Sequence, residues 1–453
     1  MPIDVQDWQQ RLSESIAKYD VPGASVAVLH DGEVTAFGAG VLNLDTRVEV
    51  TTDSVFQIGS VTKSYTATLV LALADAGLLE LDRPVVSYVP ELELADPDVR
   101  ERLTLRHLLA HTSGIDGDHF LDLGRGEDVL ARYLTTCGDL AQVLPLGAAW
   151  SYCNTGYAIA GRVVEAVTGE VFDQAMTTRL LRPLGMDRSC LLPEDALRHR
   201  VAYGHVPGPE GIALAPVPVT PRTMAPAGGV MATASDVLRL PRLFLDGGLA
   251  PSGERLLAED SVREAWRHQV VVPDPTMGDS WGVGWMLTEW AGHRVVGHDG
   301  GTIGQGAFVR VLPDQGTAVV LQGNGPAAGE LFGEIVGGLT DELCGVRPPA
   351  PQVPVGTTRG ERPDWLGTYS RENMRITVGS DDDGLTVAVQ IGGLAADSLG
   401  ASSFEGRLEH AADGTYVTDA VGDWMALVPF RLEDGTDCVH FGGRAQSRYA
   451  GSS

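Results

Sequence analysis

Three short stretches hold residue types that could do covalent chemistry. The first is Phe56-Gln-Ile-Gly-Ser60-Val-Thr-Lys63. A serine hydroxyl becomes a nucleophile when a base takes its proton, and a lysine three residues on, one helical turn away, can share its face. A serine at a helix N-terminus also lies beside free backbone N–H groups and the positive end of the helix dipole, where an oxyanion is stabilised. The same residues would equally suit a capping serine and a solvated lysine. The other two stretches are Tyr152-Cys-Asn154 and His298-Asp-Gly300-Gly301. Taken singly, Tyr152 also reads as a core phenol and His298 as a strand-end histidine.

Each stretch sits at the end of a regular element. An apolar strand end (Val55, Phe56, Ile58) leads into Ser60, and Val61–Ala76 is apolar on nearly every face, as a buried central helix is. Tyr152 precedes a helical pattern over Thr155–Val167, and Arg294–His298 reads as a strand. Strands are also expected at Val21–His30 and Glu33–Gly38, joined by the Asp31-Gly32 turn, and at Ala307–Leu312 and Thr317–Gln322. An amphipathic helix, Gln6–Tyr19, opens this region and a helix over Glu330–Cys344 closes it. Early and late strands bracketing a helical middle predict an α+β fold: one antiparallel sheet completed by both chain ends, with an all-α subdomain inserted at about 80–220.

Three domains of organisation follow: residues 1–345, a stiff proline-rich linker over 346–363, and a terminal region over 364–453. The last has only short alternating runs (Arg375–Val378, Leu385–Gln390, Thr415–Thr418, Met425–Val428, Cys438–Phe441) between Gly and Asp turns, the pattern of a small antiparallel barrel.

Thirty-three basic residues against 60 acidic ones give a net charge of −27, which repels nucleic acid and anionic membranes. No run approaches the length of a membrane span. The N-terminus has neither a basic start nor an apolar core, so a cytoplasmic location is expected. The five cysteines (Cys137, Cys153, Cys190, Cys344, Cys438) lack metal spacing and read as reduced thiols. His107 and His111 are spaced like ligands on a helix face, but no acidic third ligand accompanies them, and no metal is expected.

Taken together with Leu105-Arg-His-Leu-Leu-Ala-His-Thr-Ser-Gly114, the three stretches resemble the serine hydrolases related to class C β-lactamases and DD-peptidases. The resemblance spans about residues 15–345, with the motifs in the family's order. It implies that Ser60 forms an acyl-enzyme, that Lys63 helps take its proton, that Tyr152 relays protons, and that Asn154 holds Lys63 and the substrate amide. It also implies an oxyanion hole from the N–H groups of Ser60 and Gly301, with Gly300 allowing close approach to the strand. His298 stands where β-lactamases keep a lysine, and the resemblance implies a catalytic role for it, either as an acid/base or as a hydrogen-bond donor. Trp281, Trp285 and Trp290 are expected either to line the cleft, Trp285 as a substrate contact, or to pack in the core.

His-x-Gly, a proline linker and a terminal barrel (lipocalin-like in that family) together look most like the penicillin-binding-protein-type thioesterases, stand-alone cyclases of non-ribosomal peptides. That likeness implies a linear peptidyl thioester substrate delivered by a transient carrier-protein partner. It also implies a D-configured or glycine donor residue and head-to-tail closure. No cofactor is expected beyond the carrier's phosphopantetheine arm, which belongs to the substrate. Arg444, in Phe441-Gly-Gly-Arg444, is the expected barrel contact to a peptide carboxylate or carbonyl. The rivals are a hydrolase of the same fold (D-aminopeptidase, esterase or weak β-lactamase) and a non-catalytic peptide-binding module.

Overall fold

Both ends of the first region feed one sheet. In the computed structural model, which describes residues 3–350, 353–392, 402–411, 414–420 and 424–449, strands β1 (Gly23–His30) and β2 (Glu33–Gly40) form the early hairpin. The late strands are β3 (Val270–Val271), β4 (Ser280–Trp281), β5 (Met286–Trp290), β6 (His293–Thr302), β7 (Gln305–Leu312) and β8 (Thr317–Gly323). They pair antiparallel in the order β2-β1-β8-β7-β6-β5-β4-β3, and β1 against β8 (Ala24↔Gly323 to Leu29↔Ala318) joins the two ends. Every residue of β8 is buried. One face is covered by α1 (Val5–Lys18) and the closing helix, through Trp8, Leu12, Leu331, Ile335 and Leu339.

The other face carries the main core around α2 (Thr62–Asp75), in which Thr62 through Leu71 are all buried. Beside it runs α3 (Asn154–Thr168), capped at its start by the Cys153 side chain and stopped by Gly169 in the left-handed region. The middle of the chain is not purely helical. A hairpin, His205–Gly208 with Gly211–Leu214, is made there, and Arg200–Val201 pairs with Ser54–Val55 just before the Ser60 stretch.

Past Cys344 the chain is not a bare linker either. Val346 is buried against Trp290, Val295 and Leu312, and Gly356–Thr357 pairs with the barrel's edge. The barrel strands are β9 (Gly367–Arg371), β10 (Met374–Asp381), β11 (Gly384–Ile391), β12 (Ser403–His410), β13 (Tyr416–Thr418), β14 (Met425–Arg431), β15 (Asp437–Phe441) and β16 (Arg444–Arg448). They pair in the order β12-β11-β10-β9-β16-β15-β14-β13, and β13 returns to β12, so eight strands close on themselves. Alternate residues (Ile376 and Val378; Leu385, Val387 and Val389) fill the interior with Tyr369 and Phe441.

The barrel rests on the Tyr152 stretch. The Tyr152 N–H donates to Gly443 O at 2.9 Å, and the Ala445 N–H donates to Ser151 Oγ at 3.1 Å. The rings of Trp150 and His440 lie 5.2 Å apart. Among the described residues no helix is long and apolar enough to cross a membrane, and all five cysteines are free.

Candidate active site

Ser60 lies in a single 3-10 turn, Gly59–Val61, that runs directly into α2. Gly59 has φ +49°, and a Cβ there would sit 2.6 Å from Gly301 O, so this bend against β6 requires glycine. Gly300 is as constrained from the opposite side: a Cβ would fall 2.0 Å from Ile58 O and 2.9 Å from Ser60 N. Two side-chain-free positions therefore press the strand onto the start of the nucleophile helix. At Gly301 a Cβ would meet nothing within 4 Å, because that residue faces open space. Strand β5 pairs with β6 only over His293–Gly297. From His298 to Thr302 β6 is paired on the β7 side alone, which leaves one edge free beside Ser60.

Lys63 Nζ lies 3.0 Å from Ser60 Oγ and donates to Ala227 O at 2.8 Å. It is wholly buried, and burial drives its pKa well below the ordinary lysine value. The Arg444 guanidinium pushes in the same direction, while Asp118 and Cys153 oppose it. A depressed lysine can be neutral and take the serine proton. The Lys63 nitrogen sits 4.8 Å from the centre of the Tyr152 ring. Burial raises the Tyr152 phenol, and its hydrogen bond with Ser60 pulls it partly back. Tyr152 is thus a proton-holding group within reach of both.

His298 packs edge-on to Tyr152 (6.3 Å) and Trp281 (5.3 Å), and its Nδ1 lies 2.7 Å from Asp299 O. Burial, then Lys63, bring its pKa down to about 3, so it is a neutral ring beneath the site rather than a cation within it. Asn154 lines the cleft, but its Nδ2 donates to Asp118 at 2.9 Å, and Lys63 Nζ is held by Ser60 Oγ and Ala227 O and not by Asn154 as the resemblance implied. Of the two places open to Trp285, the structure has it in the core and not as a substrate contact. It is buried against Phe244 and Trp266 in the main core, outside the cleft, while the next residue, Met286, packs on the opposite side with Trp281 and Tyr152. Trp290 packs under the strands, and Trp281 joins Trp150, His111 and Tyr152 in an aromatic layer. His107 and His111 serve local structure: His107 completes a capping box with Thr104, and His111 Nδ1 accepts the Cys153 N–H.

The cleft has a volume of about 690 Å³, and Ser60, Tyr152, Asn154, Gly300, Gly301 and Arg444 all line it. Arg444 crosses from the barrel and lies 4.8 Å above the Tyr152 ring. It meets Asp118 through two hydrogen bonds of 3.1 Å. Asp116, Asp118 and Arg371, none of which sequence reasoning singled out, form a buried cluster with it. Asp116 and Asp118 stand two residues apart in the turn between Gly114 and Phe120, and nothing in the sequence beyond that spacing marked them.

A helix-borne serine in contact with a desolvated lysine and a tyrosine, beside a free strand edge, defines a serine hydrolase or acyltransferase site. The model of the Beta-lactamase family matches residues 8–338, and the chain belongs to that family. It is 45% identical over 379 residues to Penicillin-binding protein 4 of Amycolatopsis lactamdurans, covering 82% of this chain and 99% of that one. It is 30% identical to Esterase EstB of Burkholderia gladioli over 58% of this chain and 74% of the esterase. Both domains together match the crystal structure of SurE (TM-score 0.79, 28% identity, 98% of this chain and 99% of the other). SurE has also been crystallised with D-Leu, and that structure matches with a TM-score of 0.78.

Proposed function

We propose that this protein is a penicillin-binding-protein-type thioesterase that takes a linear peptide from a carrier-protein thioester onto Ser60 and closes it head to tail, with a D-configured or glycine donor residue. The reading is carried by the roof of the cleft, where the barrel's Arg444 stands over Tyr152 in the cavity that contains Ser60. A one-domain hydrolase has no such roof. The two-domain match to SurE, and its structure with D-Leu, support the same reading.

In the acylation step Lys63 accepts the Ser60 proton as Oγ bonds to the thioester carbonyl carbon. The oxyanion is held by the N–H groups of Ser60 and Gly301. The C–S bond breaks, and the departing thiolate receives a proton by way of Tyr152. In release, the peptide's own amine attacks the ester, its proton passes to the Tyr152–Lys63 pair, and the C–O bond breaks with return of a proton to Ser60. A well-placed intramolecular amine reaches an effective molarity on the order of 10⁵ M, enough to outrun water. Arg444, with a carboxylate or carbonyl of the peptide on its free N–H groups, would help hold the chain folded back.

The test is product analysis with the N-acetylcysteamine thioester of a linear peptide ending in a D-residue. Cyclic peptide that lacks the mass of water supports the proposal. Linear acid as the sole product, at full turnover, would replace it with a hydrolase.

A further inference from the structure

We propose that Asp118 is the positioning residue of this cleft: its one carboxylate fixes Arg444 of the barrel and Asn154 of α3 in a single geometry and so sets how the guanidinium meets substrate. Four donors converge on it. Oδ1 accepts from Asn154 Nδ2 at 2.9 Å and Arg444 Nη2 at 3.1 Å. Oδ2 accepts from Arg444 Nε at 3.1 Å and pairs with Arg371 Nη1 at 2.8 Å. These groups come from a hydrolase helix and from two separate barrel strands, β9 and β16.

Arg444 has five N–H groups. Two go to Asp118, and Nη1 gives one to Gly442 O at 3.0 Å. One N–H on each terminal nitrogen remains, the number a carboxylate or a pair of carbonyl oxygens takes. The Arg444 side chain keeps 22% of its surface exposed while that of Asp118 keeps 8%. The guanidinium is therefore held from the buried side and open on the cleft side. Burial alone would raise the Asp118 pKa, but Arg444 and Arg371 outweigh it and hold the carboxylate charged, well below the usual range.

Asp116 provides the contrast. It takes the Glu372 N–H at 2.7 Å and lies 3.5 Å from Arg371, so it docks the barrel without touching Arg444.

The assignment rests on Ser60 acylation in this cleft but not on cyclisation. It is tested by total consumption of the N-acetylcysteamine peptidyl thioester, whatever the product. Loss of a buried charge-assisted bond predicts that Asp118→Asn raises KM by about tenfold or more with a smaller change in kcat. In an Arg444→Met background the same substitution should add less than about threefold, because the guanidinium it positions is gone and only its bonds to Asn154 and Arg371 remain. Asp118→Glu keeps the charge but moves the carboxylate, and serves if Asp118→Asn does not fold. It should raise KM in the parent and not in Arg444→Met. Asp116→Asn should lower Tm and leave KM within about twofold. Asp116→Asn matching Asp118→Asn in KM, or Asp118 and Arg444 effects that simply multiply, would overturn the assignment. Linear product with the expected KM pattern would refute cyclisation alone.

Discussion

Gly300→Ala places one methyl group where the account can least tolerate it. The new Cβ would lie 2.0 Å from Ile58 O and 2.9 Å from Ser60 N, both backbone atoms that cannot rotate away. The tightest Cβ contacts found in proteins are near 3.0 Å, so β6 must retreat from the nucleophile turn by about 1 Å, in a core that resists overpacking. That retreat carries Gly301 N with it and takes one oxyanion donor out of range. Loss of such a donor costs about 10²–10³ in rate, or ~3–4 kcal/mol of transition-state stabilisation, and the crowding itself costs ~1–3 kcal/mol of stability. The assay is the second-order rate of Ser60 labelling by a fluorophosphonate, with Tm measured in parallel. Gly301→Ala is the comparison for stability: its Cβ meets nothing within 4 Å, so its Tm should stay within about 2 °C of the parent. Labelling of a folded Gly300→Ala protein at the parental rate would show that β6 does not need this close approach.

Three further outcomes are expected. Tyr152→Phe removes the phenol that bonds Ser60 and should slow thioester turnover by about 10²–10⁴ with Tm little changed; turnover within threefold of the parent would remove Tyr152 from the proton path. Arg444→Met removes a positive charge that depresses Lys63, so the acidic limb of the kcat/KM profile should move to higher pH, and an unmoved limb would separate Arg444 from Lys63. Burial brings both His298 and His440 down to about 3, so the unfolded chain binds protons that the folded chain does not. The histidine contribution to stability is complete above about pH 6.5 and falls on acidification towards pH 3, by about 2 kcal/mol per histidine at pH 5. Buried Glu165, raised to about 7, acts in the opposite direction over the same interval. The measurement is therefore the change in denaturation midpoint between pH 7.5 and pH 5 in the parent against that in His440→Gln, and equal changes in the two would contradict it.

The parts of the site that were legible in the sequence are those in which one short stretch carries both the chemistry and the element that positions it. Ser60 and Lys63 share a helix start, Tyr152 and Asn154 flank the start of α3, and His298 to Gly301 lie on one strand. The sheet joining both ends of the first region was legible for a similar reason, since strands with a period of two and the apolar run Ala318–Leu321 of β8 cannot stand alone. The Asp118 cluster was not, because its partners are brought together only by the docking of the barrel: Arg444 lies 326 positions from Asp118, and Arg371 lies 255 positions from Asp116. An aspartate in a turn has no periodicity to betray burial. Trp285 failed differently. Hydrophobicity places it inside, but whether it lines the cleft or the core depends on how β4 and β5 turn at Val283 and Gly284, where Gly284 has φ +78°. The linker reading stopped short for want of any local signal that Gly356–Thr357 would find an edge to pair with.

The account stands on an ester at Ser60. Intact-mass and peptide-level mass spectrometry after brief mixing with a peptidyl N-acetylcysteamine thioester tests it directly. A transient adduct of the peptidyl mass on the peptide containing residue 60, absent in Ser60→Ala, is the predicted result. A protein that turns the thioester over while residue 60 never carries the acyl group, or a Ser60→Ala variant that still does so at the parental rate, would contradict it.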